Sequence, residues 1–504
     1  MRYKILCSIL SGLLAVSLLG QTASYVEKHR PRFHFSQPAN WMNDPNGMVY
    51  DKGIYHLFYQ YYPDSTVWGP MHWGHASSAD LIHWKNLPVA LYPDSLGYIF
   101  SGSAVVDKKN SSGFQQGSIQ PLVAVFTYHN IAGEKKGRND FQYQGLAYSI
   151  DHGKTWQKYA GNPIIANPGI KDFRDPKLIW HEGSGKWIIT LAAGNKVQFY
   201  ASADLKKWQL CGTFGEKEGS HDGVWECPDL FPLKTADGKE TKWVLLVSVG
   251  TGAPNGGSGT QYFTGEFDGQ KFVSDAAKTV KWIDYGTDNY AGITWSNSPD
   301  NRRIFLGWMS NWQYAQQVPT KNWRSAMTIP RELGLLKSPA GYHLIANPVK
   351  ETLGLRLEKE AVNFLSRKEH PISLNELLLN FSLENPESED FGIELFNSIN
   401  EKLRIGYNRK KNSYYIDRTH AGNTGFSKEF AALHEAPRLS NHKTIQLHLF
   451  IDKSSVELFA DGGKTVMTDL FFPTDDFNAV RAYSKSGTAP LINGSLYELK
   501  SIWK

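Results

Sequence analysis

Five similar strand-like runs recur along the first two thirds of the chain, at intervals of roughly 60 residues. Each run is a short stretch of aliphatic, β-branched and aromatic residues, which is typical of a buried strand. The runs are Ile54–Tyr59, Leu122–Tyr128, Trp187–Ala193, Trp243–Val249 and Ile304–Met309. A period of this length can hold one four-stranded sheet, and such sheets placed around an axis form a β-propeller. The repeat therefore predicts a five-bladed β-propeller over residues 28–345.

A second repeated feature is a turn with an Asp, followed within a few residues by a Trp. The three copies pair Asp80 with Trp84, Asp151 with Trp156, and Asp204 with Trp208. An Asp can accept hydrogen bonds from the backbone of its own turn, and an indole ring favours a buried contact. Each copy therefore predicts a hairpin whose Trp packs between sheets. A two-sheet sandwich is the alternative for this region, and the repeat period disfavours it.

A second domain is expected because a single core stops growing near ~250–300 residues, and this chain has 504. Beyond Pro348 the Trp residues become rare, and alternating strand patterns appear. Examples are Ile393–Phe396, Ser413–Ile416 and Gln446–Ile451. Short antiparallel strands of this kind predict a β-sandwich over residues 355–504. The expected fold class is all-β, a five-bladed β-propeller followed by a C-terminal β-sandwich.

Residues 1–24 have the pattern of a secretory signal peptide. Arg2 and Lys4 precede an apolar stretch from Ile5 to Leu19, and small and polar residues follow. The stretch is shorter than the ~20 apolar residues that a membrane-spanning helix needs. We expect an exported protein with no membrane span in the mature chain, and an uncleaved anchor is the alternative.

The composition of the chain limits the kinds of molecule that it is expected to bind. The net charge of +5 includes the two basic residues of the leader, and no clustered basic face is evident, which argues against a nucleic-acid partner. Aromatic residues make up 13% of the chain and 16 of them are Trp, which suits contacts with the apolar faces of sugars. Only Cys211 and Cys227 lie beyond the leader, and we expect both to be free thiols.

Three acidic motifs stand out in the first domain. They are WMNDPNG at 41–47 with Asp44, FRDP at 173–176 with Asp175, and WECPD at 225–229 with Glu226. Each precedes one of the repeated runs by a similar distance, so the three occupy equivalent places in three blades. Equivalent places in a propeller converge at one end of its axis. The sequence therefore predicts three carboxyl groups that face each other across an axial pocket.

Such a set matches the needs of glycoside hydrolysis, in which one carboxylate attacks the anomeric carbon and one carboxylic acid protonates the leaving oxygen. Crowding of like charges should keep one carboxyl group protonated. Arg174 lies beside Asp175 and should favour its ionised form, so we expect Asp175 to bind sugar hydroxyls instead of donating a proton. A single Asp-Pro would more simply be a turn, but three motifs at matching positions favour a site.

These motifs resemble those of glycoside hydrolase family 32, the invertases, inulinases and levanases. FYQYYP at 58–63, FSGSAVV at 100–106, GWMSNW at 307–312 and IDKSSVELFADGG at 451–463 extend the resemblance over the whole chain after the leader. It implies a propeller with a sandwich, double displacement with retention, and no metal or organic cofactor. It also implies that Asp44 is the nucleophile, that Glu226 is the acid/base, and that Asp175 with Arg174 holds fructose hydroxyls. The other substrate-binding residues that it implies are Asn43, Gln60, Trp68, Phe100, Ser101, Tyr290 and Trp308.

Some positions leave alternatives open. Trp68, Phe100 and Trp308 could instead serve only to pack the blades. Asn289 stands where the family often has Phe, which puts details of the subsites in doubt.

Within the family, WGPMHWGHA at 68–76 and GSHDGVWECPDLF at 219–231 are most similar to bacterial levanases and exo-inulinases. We therefore expect exo-acting release of fructose from levan, inulin and sucrose. An endo-levanase and a fructosyltransferase remain alternatives, and a non-catalytic fructan-binding protein is a remote one.

Overall fold

The computed structural model describes residues 25–276, 279–358, 361–384 and 388–503. The predicted signal peptide, residues 1–24, lies outside the described residues. The described chain is almost entirely β, with one α-helix, α1 (Ile131–Lys135), and 3-10 turns at Pro299–Asn301, Lys350–Leu355 and Phe364–Ser366. Within these ranges no helix is both long and apolar enough to cross a membrane.

Five antiparallel sheets follow one another along the first domain. Blade one contains β1 (Asn40–Asp51), β2 (Ile54–Tyr62), β3 (His72–Ser78) and β4 (Lys85–Leu91), and blade two contains β5 (Tyr98–Val106), β6 (Leu122–His129), β7 (Gln142–Ser149) and β8 (Gln157–Lys158). Blade three contains β9 (Phe173–His181), β10 (Lys186–Ala193), β11 (Val197–Ser202) and β12 (Gln209–Phe214). Blade four contains β13 (Trp225–Lys234), β14 (Thr241–Val249), β15 (Gly259–Phe267), β16 (Phe272–Ser274) and β17 (Lys281–Trp282).

Blade five closes the ring. Its strands are β18 (Tyr290–Thr294), β19 (Ile304–Met309), β21 (Ala326–Met327), β22 (Arg331–Ser338) and β23 (Gly341–Pro348). Between β19 and β21, the short strand β20 (Trp323–Arg324) leaves the blade and pairs in parallel with the start of β1. Backbone hydrogen bonds therefore join the last blade to the first, as a closed propeller requires.

The first strand of each blade lies at the axis. The strands β1, β5, β9, β13 and β18 contact one another in a closed circle. The five repeated runs of the sequence are the second strands, β2, β6, β10, β14 and β19, and most of their residues are buried. Those strands are apolar on both faces because each lies inside a blade that is packed between two others. The predicted five-bladed propeller is confirmed.

The Asp-containing turns have the predicted structure. Asp80 accepts hydrogen bonds from the backbone of Ile82 and His83, at 3.0 and 2.8 Å. Trp84 of this blade-one turn stacks on Trp295 of blade five, with ring centroids 6.2 Å apart. Trp156 of the blade-two turn meets Phe58 of blade one edge-on, at 5.3 Å, so both Trp residues pack between blades.

Two six-stranded sheets form the second domain. Its strands are β24 (Val362–Asn363), β25 (His370–Pro371), β26 (Asn375–Ser382), β27 (Asp390–Phe396), β28 (Lys402–Asn408), β29 (Ser413–His420), β30 (Leu433–Pro437), β31 (Thr444–Ile451), β32 (Ser455–Ala460), β33 (Thr465–Leu470), β34 (Ala479–Ser484) and β35 (Leu491–Glu498). One sheet has the order β24-β35-β26-β31-β32-β33 and the other has the order β25-β34-β27-β28-β29-β30. Aliphatic side chains of both sheets share one core, so the predicted β-sandwich is confirmed.

The propeller covers one face and one edge of this sandwich. All residues of β32 and β33 are buried, because one face lies in the sandwich core and the other lies against the propeller. Residues 284–288 pair with the free edge of β33, where the backbone N–H of Tyr285 donates to Val466 at 2.8 Å and that of Asp288 donates to Thr468 at 3.0 Å. The two domains therefore form one packed unit.

Candidate active site

The innermost strand of every blade has an irregular register, and all five irregularities lie near the same end of the propeller axis. The shifts fall between Met42 and Pro45, Ile99 and Gly102, Glu226 and Asp229, and Tyr290 and Ile293, and in blade three between Thr190 and Ala192, opposite Arg174–Lys177. A β-bulge leaves a residue unpaired and re-aims the neighbouring side chains. In this propeller the five bulges direct side chains toward one end of the axis.

The bulges explain the Asp-Pro and Cys-Pro pairs of the acidic motifs. Pro45, Pro176 and Pro228 lie within the shifted segments of β1, β9 and β13. Proline has no N–H to contribute to a sheet, so a bulge can accept it at little cost. The three motifs therefore lie in bulged axial strands, and the interpretation of them as ordinary turns is wrong.

Three of the bulges share a strained backbone. Asp175, Cys227 and Ala291 have φ values of 66°, 44° and 53°, in the left-handed region that non-glycine residues seldom adopt. Such strain of ~1–3 kcal/mol per residue persists where the surroundings enforce it, often at functional sites. Here it turns the chain so that neighbouring strands present Asp175, Glu226 and Tyr290 to a common space.

Asp44 is held by two donors. Ser101 Oγ donates to Asp44 Oδ2 at 2.7 Å, and Asn43 Nδ2 donates to Asp44 Oδ1 at 2.9 Å. Asn43 is itself oriented by Trp41, whose indole N–H donates to it at 2.7 Å. Burial raises the pKa of Asp44, the bond from Ser101 opposes this effect, and the nearby charge of Glu226 adds to it.

Opposing effects act on the pKa of Asp175. Burial raises the pKa of Asp175, the charge of Arg174 lowers it, and the charges of Glu226 and Asp44 raise it again, with a net value of about 7. The backbone N–H of Cys227 donates to Asp175 Oδ2 at 3.0 Å. Arg174 does favour the ionised form of Asp175, but desolvation and the two like charges outweigh this effect, so the net pKa of Asp175 is raised.

Arg174 forms ion pairs with two other carboxylates. Its Nε lies 3.1 Å from Glu226 Oε1, and its Nη1 lies 2.7 Å from Asp172 Oδ1. The hydroxyl group of Tyr290 donates to Glu226 Oε2. The Glu226 side chain is 22% exposed, so it can reach a molecule that enters from solvent while Arg174 and Tyr290 fix its position.

Cys227 lies between two of the acids and was not predicted as a site residue. Its Sγ is 3.4 Å from Asp44 Oδ2 and 3.6 Å from Asp175 Oδ2. Burial and these negative charges hold the pKa of the thiol well above its usual range, so it stays protonated and can donate its one proton to either carboxylate. Cys211 and Cys227 are both free, as predicted. Only its position directly after Glu226 could have drawn attention to Cys227.

Aromatic residues surround the acids. Phe100 stacks on His129 at 4.3 Å and meets the edge of Trp68 at 6.0 Å. Phe100 and Trp68 are both partly exposed, so both can contact a ligand. Trp308 is fully buried and is covered by Trp312, with ring centroids 4.9 Å apart.

The partly exposed Trp of the GWMSNW motif is therefore Trp312, which was not predicted as a site residue. It also stacks on Trp41, at 5.9 Å. Trp308 supports this pair from behind, which agrees with the packing alternative for that residue.

Gln60 and Asn289 are both buried and hydrogen-bonded to other side chains of the protein. The amide orientation of Asn46 that satisfies its hydrogen bonds turns its oxygen toward Gln60. In that orientation the backbone N–H and the Nε2 of Gln60 both donate to the Asn46 oxygen, each at 3.0 Å. Asn289 donates to Asp284 Oδ2 at 3.0 Å, in the interface with the sandwich. The departure from the family pattern at Asn289 therefore concerns the domain interface, whereas Gln60 supports the bulge of β1.

The fold and the site define a class of protein, a β-propeller with an acidic axial site of the kind that glycoside hydrolysis requires. Residues 34–348 match the glycosyl hydrolases family 32 N-terminal domain, and residues 351–498 match the family's C-terminal domain. The chain therefore belongs to glycosyl hydrolase family 32 and is a glycosidase.

Similarity to individual proteins agrees with this family assignment. A levanase from Bacillus subtilis is 47% identical over 95% of this chain and 72% of its own length. An extracellular exo-inulinase from Aspergillus awamori is 38% identical over 98% of this chain and 99% of its own. The crystal structure of exo-inulinase from that organism superposes with a TM-score of 0.87 at 36% identity, covering 95% of this chain and all of its own. A β-fructofuranosidase from Schwanniomyces occidentalis, complexed with fructosyl-erythritol, gives 0.85 at 33% identity, covering 95% and 99%.

Proposed function

We propose that this protein is an exo-acting fructan hydrolase that releases fructose from the ends of levan and inulin chains and also from sucrose. The observation that supports this most is the meeting of Asp44, Asp175 and Glu226 in the bulges of three axial strands, beside Arg174. The choice of a fructan agrees with the relatives that are named levanase and exo-inulinase.

In the first step, Asp44 attacks the anomeric carbon of the terminal fructose. A bond forms between its carboxylate oxygen and that carbon, while the bond from the carbon to the leaving oxygen breaks. Glu226 gives its proton to the leaving oxygen, so the remaining sugar departs as an alcohol. Asn43 and Ser101 keep the carboxylate of Asp44 aimed throughout.

In the second step, water replaces the leaving sugar. Glu226, now ionised, takes a proton from the water, whose oxygen attacks the anomeric carbon and frees Asp44. The two inversions give net retention. Arg174 and Tyr290 suit this exchange of roles, since both donate hydrogen bonds that stabilise Glu226 when it is ionised.

Asp175 binds fructose hydroxyls and stabilises the positive charge that develops on the sugar ring. Burial and the charges of Glu226 and Asp44 raise the pKa of Asp175, which favours a proton being kept within the group of acids. Because the three carboxyl groups interact, this proton belongs to the group and not to one residue. The acid step requires it on Glu226 when the leaving oxygen is in place.

We also propose that the protein acts outside the cytoplasm. Residues 1–24 have the pattern of a signal peptide, and the exo-inulinase from Aspergillus awamori is described as extracellular.

A time course of products from levan and from inulin tests the proposal. Exo action predicts fructose alone from the first minutes, whereas a ladder of oligosaccharides would mean endo action. Longer products from concentrated sucrose would instead mean transfer to a sugar acceptor. Asp44→Asn and Glu226→Gln serve as controls, and neither should release fructose at a rate near that of the wild type. Binding of levan without any turnover by the wild type would contradict the proposal.

A further inference from the structure

The segment 250–257 joins β14 to β15 and is called here the rim loop. It begins beside the proposed acid/base, because a Cβ added to Gly250 would lie 3.8 Å from Glu226 Oε2 and 3.9 Å from the hydroxyl group of Tyr290. Glu226 reaches the leaving oxygen in the proposed reaction. The rim loop therefore borders the space that the leaving sugar occupies.

The sequence of the rim loop, GTGAPNGG, is rich in glycine, and two backbone hydrogen bonds close its tip, from the N–H of Gly256 to Ala253 at 2.9 Å and from the N–H of Ala253 to Gly257 at 3.2 Å. Gly252, Gly256 and Gly257 have φ values of 91°, 92° and 68°, which other residues rarely adopt. Glycine also loses the most backbone entropy when it is ordered. Contacts from outside the loop therefore add to its own hydrogen bonds in fixing where its tip lies.

The sandwich supplies such a contact through Asn255 at the tip of the rim loop. Asn255 Nδ2 donates to the backbone oxygen of Glu435 at 2.9 Å, and the backbone N–H of Glu435 donates to Asn255 Oδ1 at 3.0 Å. The same Nδ2 donates to the backbone oxygen of Tyr285 at 2.5 Å. Glu435 lies in β30, the outer strand of its sheet, so the amide of Asn255 pairs with a strand edge in the way that a neighbouring strand would.

We propose that this pairing, the Asn255–Glu435 clamp, allows the sandwich domain to set the binding of the leaving sugar. Asn255 is then a positioning residue, which acts through the rim loop and touches no reacting atom. The inference rests on the proposed function, and it gives the second domain a role in the reaction beyond packing.

The clamp should matter more for a long substrate than for a short one. A fructan extends further from the cleaved bond than sucrose does, so more of its contacts depend on the rim loop. A mobile loop adds an ordering cost to each such contact. General loss of folded protein would instead lower the rates on both substrates by the same factor.

Two variants break the clamp from opposite sides. Asn255→Ala removes the amide. Glu435→Pro removes the backbone N–H that donates to it, together with the Glu435 carboxylate, and an edge strand tolerates this proline because that N–H faces away from its sheet. Two matched controls leave it intact. Glu435→Ala removes the ion pair with Lys411 but keeps the backbone N–H, and Asn347→Ala removes another propeller amide that donates to a sandwich carbonyl, that of Gly462.

The experiment measures kcat/KM on levan and on sucrose for the wild type and the four variants of the full chain, with thermal unfolding as a check on folding. For Asn255→Ala and Glu435→Pro, the ratio of levan to sucrose activity should fall about tenfold, the effect of losing one or two hydrogen bonds. It should stay unchanged in both controls. An unchanged ratio in Asn255→Ala would overturn the inference, whether or not both activities fall together. Failure of the proposed function would be seen separately, as a wild type that does not release fructose.

Discussion

Ser101 in β5 donates a 2.7 Å hydrogen bond to Asp44 in β1, so one blade orients the proposed nucleophile of its neighbour. This bond lowers the pKa of Asp44 against the effect of burial. In Ser101→Ala the pKa of Asp44 should rise further, so the residue becomes ionised only at higher pH. We expect the acidic limb of the pH profile of kcat/KM to move to higher pH, and its maximum to fall about tenfold or more.

Ser103→Ala is the matched control for that measurement. Ser103 lies two residues along the same strand, and its hydroxyl group donates to the carbonyl oxygen of Pro176 at 2.8 Å instead of to an acid. Its loss should reduce stability without moving the acidic limb. Equal shifts of the limb in both variants would contradict the role given to Ser101.

Cys227 should resist alkylation in the folded protein. It is 4% exposed, and burial and its acidic neighbours keep the thiol protonated, whereas the thiolate is the reactive form. Mass spectrometry after treatment with iodoacetamide should find Cys227 unmodified until the protein is unfolded. Modification of Cys227 in the native enzyme, before that of the partly exposed Cys211, would show that the site is more open than described.

His34 should make stability depend on alkaline pH. Its Nδ1 lies 2.7 Å from Asp452 Oδ2 and its Nε2 lies 2.8 Å from Glu457 Oε1, so both ring nitrogens donate to carboxylates and the ring must be protonated. Although burial opposes the charge, these bonds raise the pKa of His34 from 6.5 to about 9.

A base whose pKa is higher in the folded state than in the unfolded state stabilises the folded protein. This stabilisation is complete at pH values below the unfolded-state pKa and is lost as the pH rises through the folded-state pKa. The contribution of His34 is therefore complete below pH 6.5 and is lost between about 6.5 and 9. It should reach about 3 kcal/mol by the linkage between pKa and free energy. Thermal unfolding from pH 6 to 10 should show this decline in the wild type and a flatter profile in His34→Gln. Parallel profiles would exclude His34 as the cause.

Arg331 should link the stabilities of the two domains. It is fully buried, and it pairs with Asp284 of the propeller at 2.8 Å and with Glu457 of the sandwich at 2.5 Å. Arg331→Met leaves the buried carboxylate of Asp284 without its cation and leaves Glu457 with only the protonated His34 as its cation, which should cost about 3–5 kcal/mol. Calorimetry should find one unfolding transition at a much lower temperature. Lys337→Met, which removes an exposed pair with Glu240, should leave the transition where it is.

The blades could be predicted from the sequence because burial between neighbouring blades makes the second strand of each blade apolar on both faces. The three acids could be placed at equivalent positions because the repeat is regular. The bulges could not be predicted, since Asp-Pro in isolation is equally typical of a turn.

Features that depend on distant parts of the chain were also missed. Asp284, Arg331 and Glu457 are far apart in sequence, and each alone is typical of a solvated surface charge. The partly exposed ring of Trp312 and the buried ring of Trp308 belong to one motif, and only packing against Trp41 distinguishes them.

The central claim is that Asp44 attacks the sugar while Glu226 serves as acid and base. The most direct test uses the variant Glu226→Gln with fructosyl fluoride as substrate. Fluoride leaves without a proton, so the first step proceeds in this variant. The second step is slow because the variant has no base to activate water, and the fructosyl-enzyme therefore accumulates. Mass spectrometry of the quenched and digested protein should find one fructosyl group on Asp44, within the peptide that contains residues 41–47. A fructosyl group on Asp175, or rapid turnover with no adduct on any residue, would contradict the account.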